Sequence, residues 1–293
     1  MALLAFLGNG QTHFEGDYKR NVYEGLSYLL NKQEMIDQYN GKLMDNNYLG
    51  GMYAHGLASI ALAEAYAMTK DPNLRGPAQA AINFIVYAQD PNGGGWRYRP
   101  KMPGDLSVFG WQLMALKSAN MAGLQVPKRT ISRATKFLNN ASHESGGKYG
   151  YLVGNKDPSL SMTGVGLLCR MYMGWKKENP AMERGCKYLA SRGPIVGDQT
   201  WMYHNYYATQ VMRQYGGDEW PIWNKQMRDF LVESQAREGT SKGSWYFKPG
   251  IDSGCTHGGR LYCTTMSVMT LEVYYRFLPI YRDAAADDEF PLD

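Results

Sequence analysis

One arrangement recurs along the chain: a glycine- or turn-rich loop, an aromatic residue, then a helical run. It occurs in NYLGGMYAHGLASIALAEAYAM, GGGWRYRPKMPGDLSVFGWQLMALKSANMAG, GGKYGYLVGNKDPSLSMTGVGLLCRMYMG, DQTWMYHNYYATQVMRQYGG and KGSWYFKPGIDSGCTHGGRLYCTTMSVMTLEVYYRFLP. The runs begin near Tyr53, Asp105, Ser159, Trp201 and Arg260. They are spaced by roughly 40 to 60 residues, which leaves room for two helices and their loops in every unit.

The second helix of each unit is also legible. NVYEGLSYLLNKQ, NLRGPAQAAINFIVYAQ, TISRATKFLNNA, PAMERGCKYLASRG and WPIWNKQMRDFLVESQ carry apolar residues at helical spacing on one face only, as with Val22, Leu26, Leu29 and Leu30. The first set is richer in Ala, Gly, Met and Thr and is apolar around more of its circumference. A helix packed on both sides needs that composition; a helix on the outside needs one stripe. Strand alternation is nearly absent. The chain is therefore expected to be all-α, with inner and outer helices taking turns.

The ends of the outer helices share a detail. Gln33 precedes Gly50-Gly51, Gln89 precedes GGGW, and Gln235 precedes GSW. Glutamine at a helix end can bond orphan backbone groups, while glycines permit turns at positive φ. This pattern resembles the QW-type repeat of the terpenoid cyclase and protein prenyltransferase superfamily (the prenyltransferase and squalene oxidase repeat). The resemblance extends through YCTTMSVMTLEVYYRFLPIY and implies an α/α toroid of six inner helices within five to six outer ones. ALLAFLGNG supplies the sixth inner helix, so the chain reads as starting inside a repeat of a longer protein. The expected organisation is one toroid domain over 1–281 and an acidic tail over 282–293.

In such a toroid all inner helices point the same way, and their N-termini surround one mouth. Helix N-termini carry partial positive charge and unpaired N–H groups, so the mouth favours an anionic or polar group. Position alone assigns to it Tyr53, His55, Trp96, Arg97, Arg99, Asp105, Trp201, Tyr203, His204, Asp252, Cys255, His257, Arg260 and Tyr262. Of these, Tyr53, His55, Trp96, Arg97, Arg99, Trp201, His204, His257, Arg260 and Tyr262 are candidate ligand contacts. The segment RYRPK (97–101) sets three cations among a tyrosine and a proline, an anion-attracting loop. GGGW reads as scaffold.

The family's chemistry is not written at these positions. The resemblance to squalene-hopene-type cyclases would require a DxDD acid, and GDLSVFGW offers Asp105 alone, a residue that suits a helix N-cap. The prenyltransferase zinc site would require D-x-C and a later His, but Asp252 and Cys255 are separated by two residues. The thioester pair of a third toroid relative is missing as well, because Gly258 stands three residues after Cys255. GxSxG, P-loop, HExxH and strand-borne GxGxxG motifs are likewise absent. No cofactor is expected; Asp252, Cys255 and His257, or the three mouth histidines, are the residues on which zinc would be possible.

Three readings follow. The first is a binding domain whose mouth holds a small-molecule or polymer ligand with an anionic or polar group, or a protein segment. The second is an enzyme on an isoprenoid or other polyene with Asp105 or Asp252 as acid, and the third an enzyme on polysaccharide using Tyr203, His204 and an arginine. A net charge of +4 without a basic stripe argues against nucleic acid. No apolar run is long enough for a membrane span, and MALLAFLGNG lacks the basic start and cleavage pattern of a signal peptide. The sequence assigns no compartment. Cys169 and Cys186 sit in apolar helical runs and are expected to be buried thiols.

Overall fold

In the computed structural model of the protein, residues 1–35, 40–44, 50–248 and 250–274 are described. The acidic segment 282–293, and the end of the expected domain up to 281, lie outside them. Among the described residues the chain is mostly helical, with eleven α-helices and one two-stranded hairpin. The fold is all-α.

The helices fall into two alternating sets. The first comprises α1 (Ala2–Gly8), α3 (Gly51–Thr69), α5 (Leu106–Met121), α7 (Leu160–Tyr172), α9 (Met202–Tyr215) and α11 (Ser253–Leu271). Helices α3, α5, α7 and α9 are buried around most of their circumference, and α5 buries Leu106 through Leu116 without interruption, whereas the first half of α11 is largely exposed. The second comprises α2 (Lys19–Lys32), α4 (Pro72–Ala88), α6 (Lys128–Asn140), α8 (Pro180–Arg192) and α10 (Glu219–Ser234). In α6 only Thr130, Ile131, Ala134, Phe137 and Leu138 are buried, one stripe at helical spacing. The hairpin β1 (Ser142–His143) and β2 (Lys148–Tyr149) lies between α6 and α7.

Neighbour relations follow the same alternation. Helix α3 packs on α5, α5 on α7, α7 on α9 and α9 on α11, while α1 packs on both α3 and α11. In the second set, α4 lies against α3 and α5, α8 against α7 and α9, and α10 against α9 and α11, while α2 lies against α1.

Starts and stops have local causes. Asp71 and Asn179 cap α4 and α8 through hydrogen bonds to Asn73 N and Ala181 N, each followed by proline at the first helical position. The glutamines that end α2, α4 and α10 each point an amide at a loop. Gln33 Nε2 donates to the carbonyls of Gly41 (3.2 Å) and Pro77 (2.9 Å), Gln89 Nε2 to those of Gly94 and Thr130 (2.9 Å each), and Gln235 Nε2 to that of Gly243 (3.0 Å). Pro77 and Thr130 belong to the next helix of the second set, so one amide ties the loop and the seam together. Trp96 and Trp245 complete the device from the loop side, donating from Nε1 to the carbonyls of Ile85 (2.8 Å) and Leu231 (2.7 Å).

The third unit has no such glutamine. There the buried Arg170 substitutes, donating to the Tyr149 hydroxyl (2.9 Å) and Asn139 Oδ1 (2.6 Å) and lying 4.5 Å from the centre of the Trp175 ring. Among the described residues no helix is long and apolar enough to cross a membrane. Cys169 and Cys186 are buried free thiols.

Candidate functional site

The starts of α3, α5, α9 and α11 converge on one polar cluster. Asp105 is the N-cap of α5: its Oδ1 accepts from Val108 N (2.9 Å) and from the Ser107 hydroxyl (2.7 Å). Tyr53, in the first turn of α3, makes a short hydrogen bond to the same Ser107 hydroxyl. Tyr203, in the first turn of α9, donates its hydroxyl to the Ser107 carbonyl (3.1 Å). Its backbone N–H donates to Asp252 Oδ2 (3.0 Å), which the Tyr262 hydroxyl also approaches (3.3 Å). Asp252 in turn caps α11 through Gly254 N (2.8 Å). The loop before α7 joins through the Tyr151 carbonyl, which accepts from Leu106 N (2.9 Å).

Arg97 and Tyr98 form the accessible side. Arg97 Nε stands 3.6 Å from Asp105 Oδ2, and its guanidinium lies 5.3 Å from the Tyr98 ring centre. The Tyr98 and Tyr151 hydroxyls share a hydrogen bond of 2.6 Å. Arg99 is exposed, and Lys101 lies over the Tyr87 ring at 4.5 Å. RYRPK is thus divided: Arg97 turns toward the carboxylate and Arg99 and Lys101 toward solvent.

Burial sets the electrostatics. It raises the Asp105 carboxyl against the opposing pull of Val108 N–H, the Ser107 hydroxyl and Arg97. It also holds the phenols of Tyr53, Tyr203 and Tyr262 well above their ordinary range, with the carboxylates adding to the effect. These tyrosines are neutral donors and acceptors. Every hydrogen bond made to Asp105 donates into it, which suits an anion and leaves only Oδ2, facing Arg97, to carry a proton.

Below the cluster the rings of α5 and α9 meet. Trp111 stacks on Tyr206 (centroids 5.8 Å apart, planes 12° apart) and meets Tyr207 edge-on at 5.4 Å. Tyr207 packs in turn against Tyr203 at 5.0 Å. Helices α5 and α9 are not consecutive in the neighbour order, since α7 packs on both. The four rings therefore bridge the space between them.

The remaining residues assigned to the mouth lie apart. His55 is fully buried, accepting from Leu43 N at Nδ1 (3.1 Å) and donating from Nε2 to the Ala81 carbonyl (3.0 Å). His204 is equally buried, between the rings of Trp201 and Trp223 with the Gly193 backbone as its polar neighbour. Burial pulls both histidines down to about 4, so both are neutral at pH 7. His257 is exposed and bonds the Ser253 carbonyl one turn back (2.8 Å). Three separate surroundings hold the three histidines. Among the described residues no group of three or more His, Cys, Asp or Glu is placed to hold a metal ion. Trp96 is wholly buried, and Arg260 is exposed, donating to the Ser244 hydroxyl (3.0 Å) beside Tyr246. Cys255 faces Cys263.

Three features are not singled out by the sequence patterns: Ser107 as the hub of the cluster, Trp111 as the block between α5 and α9, and the Tyr98–Tyr151 pair. Ser107 follows a capping aspartate by two residues, which was the available signal; nothing local distinguishes Trp111 from other core aromatics. A groove of about 700 Å3 also runs between the end of α8 and α10, with Arg192, Glu219, Lys225 and Asp229 among its walls. Its charges are mixed and do not converge. No family model matches the chain, and no curated protein matches it.

Proposed function

We propose that the protein is an α/α-toroid binding domain. The first helix set is the inner ring and the second the outer, and the cluster around Ser107 is the floor of the mouth. The neighbour order supports the ring, because α1 packs on both α3 and α11. The mouth holds a ligand or partner segment through an anionic or hydroxyl-bearing group, which meets Arg97, Arg99 and the tyrosine hydroxyls beside them.

One observation carries the reading. The Trp111–Tyr206–Tyr207–Tyr203 stack bridges α5 and α9, and in the proposed ring it fills the throat that a polyene would have to enter. The two aspartates that would serve as acids are both engaged as helix caps. On this reading the polar mouth above the ring stack is a binding surface rather than a cyclase chamber. Alkene protonation needs a strong, unencumbered acid in a dry cavity, and Asp105 is held as an acceptor.

Native mass spectrometry of freshly purified protein tests this, followed by denaturation and identification of any released molecule. The expected result is a polar or anionic adduct that the Arg97→Ala/Arg99→Ala variant no longer carries. An apolar polyene retained by that variant would refute the mouth as the binding site.

A further inference from the structure

Helix α11 contains a break that brings two thiols together. Cys255 and Cys263 are eight residues apart, and an unbroken helix would separate them by about 12 Å along its axis. At Gly259 the backbone takes φ 53°, ψ −142°, outside any helical region. Across this break Cys263 Sγ comes within 3.3 Å of Cys255 Sγ, and both are free cysteines. The other cysteines have no such partner: Cys169 lies on α7 and Cys186 on α8, each pushed well above its ordinary range by burial.

We propose that Cys255 and Cys263 are a dithiol–disulfide pair that exchanges with low-molecular-weight disulfides. Cys263 is the attacking sulfur. The contact with the Cys255 thiol favours its thiolate, drawing it below the ordinary thiol range, while the same contact and burial push Cys255 up. The Cys263 thiolate attacks one sulfur of RS–SR, the S–S bond breaks, and RS⁻ leaves and takes a proton from water. Cys255 then gives up its proton to solvent and attacks the mixed disulfide at Cys263, expelling the second RS⁻, which is protonated. Two protein thiols are oxidised and one small disulfide is reduced to two thiols.

Reach is provided by the turn between them. Thr256, His257 and Gly258 are exposed, and opening this first turn uncovers sulfurs that are otherwise 1% and 0% exposed. The pair also has a place to act. Asp252, three residues before Cys255, holds the start of α9 through Tyr203 N and bonds Tyr262. A covalent link from Cys255 to Cys263 fastens that end of α11, and with it one wall of the Ser107 cluster. The inference does not depend on what the cluster binds.

The full chain is incubated with reduced and oxidised glutathione at graded ratios, quenched in acid, denatured and alkylated, and its mass measured. Excess oxidised glutathione should leave two of the four thiols alkylatable, with Cys255 and Cys263 joined in one peptide after non-reducing digestion. Excess reduced glutathione should restore all four. The Cys255→Ser variant should accumulate a single glutathione adduct on Cys263, which the wild type does not. Four alkylatable thiols at every ratio, or a disulfide involving Cys169 or Cys186, would overturn the proposal. Circular dichroism of the oxidised wild type, expected to match the reduced form, separates local linkage from unfolding.

Discussion

At the scale of single residues, the buried polar groups are the most exposed to test. His55 and His204 are neutral in the folded protein at about 4, against about 6.5 when unfolded. The folded values are depressed, so the stability each contributes is whole above pH 6.5. It drains as pH falls from 6.5 to 4, by about 3 kcal/mol per histidine. Urea midpoints measured across that window should fall steeply for the wild type. His204→Phe, which keeps a ring between Trp201 and Trp223, should flatten the slope by about half. The seam glutamines give a second test. Gln89→Ala orphans the buried carbonyls of Gly94 and Thr130 and should cost about 1–3 kcal/mol. Gln235→Ala should cost less, because its bond to Gly243 is exposed to water. A larger loss at Gln235 in chemical denaturation would contradict this account of the seam.

At the scale of elements, α5 and α11 carry the features on which the two proposals rest. Trp111→Ala removes the block between α5 and α9, and should cost about 3–5 kcal/mol as a core truncation. Under the filled-throat reading it should also create a site for small apolar probes such as benzene, seen as a rise in melting temperature that the wild type does not show. Gly259→Ala places a side chain at φ 53°, and about 1–3 kcal/mol of backbone strain should appear as a lower denaturation midpoint. These elements also mark what a sequence discloses. The helices themselves were legible from their apolar periodicity, and the starts of α3, α5, α7 and α9 fall within two residues of the expected positions. Helix α11 begins earlier, at Ser253 rather than near Arg260, since Gly258-Gly259 reads as a loop and is instead a break inside a helix. The site was legible only in part. Tyr53, Arg97, Asp105, Tyr203, Asp252 and Tyr262 do share one cluster, because helix starts announce themselves. His55 and His204 lie near helix starts too, and Trp96 in the loop before α5, but all three face the seams. Sequence position fixes how far along a helix a residue sits; the packing of neighbours fixes which way it points.

At the scale of the whole molecule, α1 is the critical element. It is seven residues long, yet Leu4 and Leu7 are both 1% exposed, and Gly8 abuts the Glu272 carboxylate beyond the end of α11. Two architectures accommodate a row of alternating helix pairs. In an open stack each unit touches only its neighbours, and damage at one end stays there. In a closed ring the first helix also supports the last. Leu7→Ala distinguishes them, with an expected loss of about 2–4 kcal/mol for a truncated buried leucine. Amide exchange should then quicken in α3 and also in α11, although about 260 residues of chain lie between α1 and the end of α11. Quickening confined to α2 and α3 would mean an open stack. It would remove the ring on which the mouth depends, since helix starts that do not encircle a common axis do not share a common ligand.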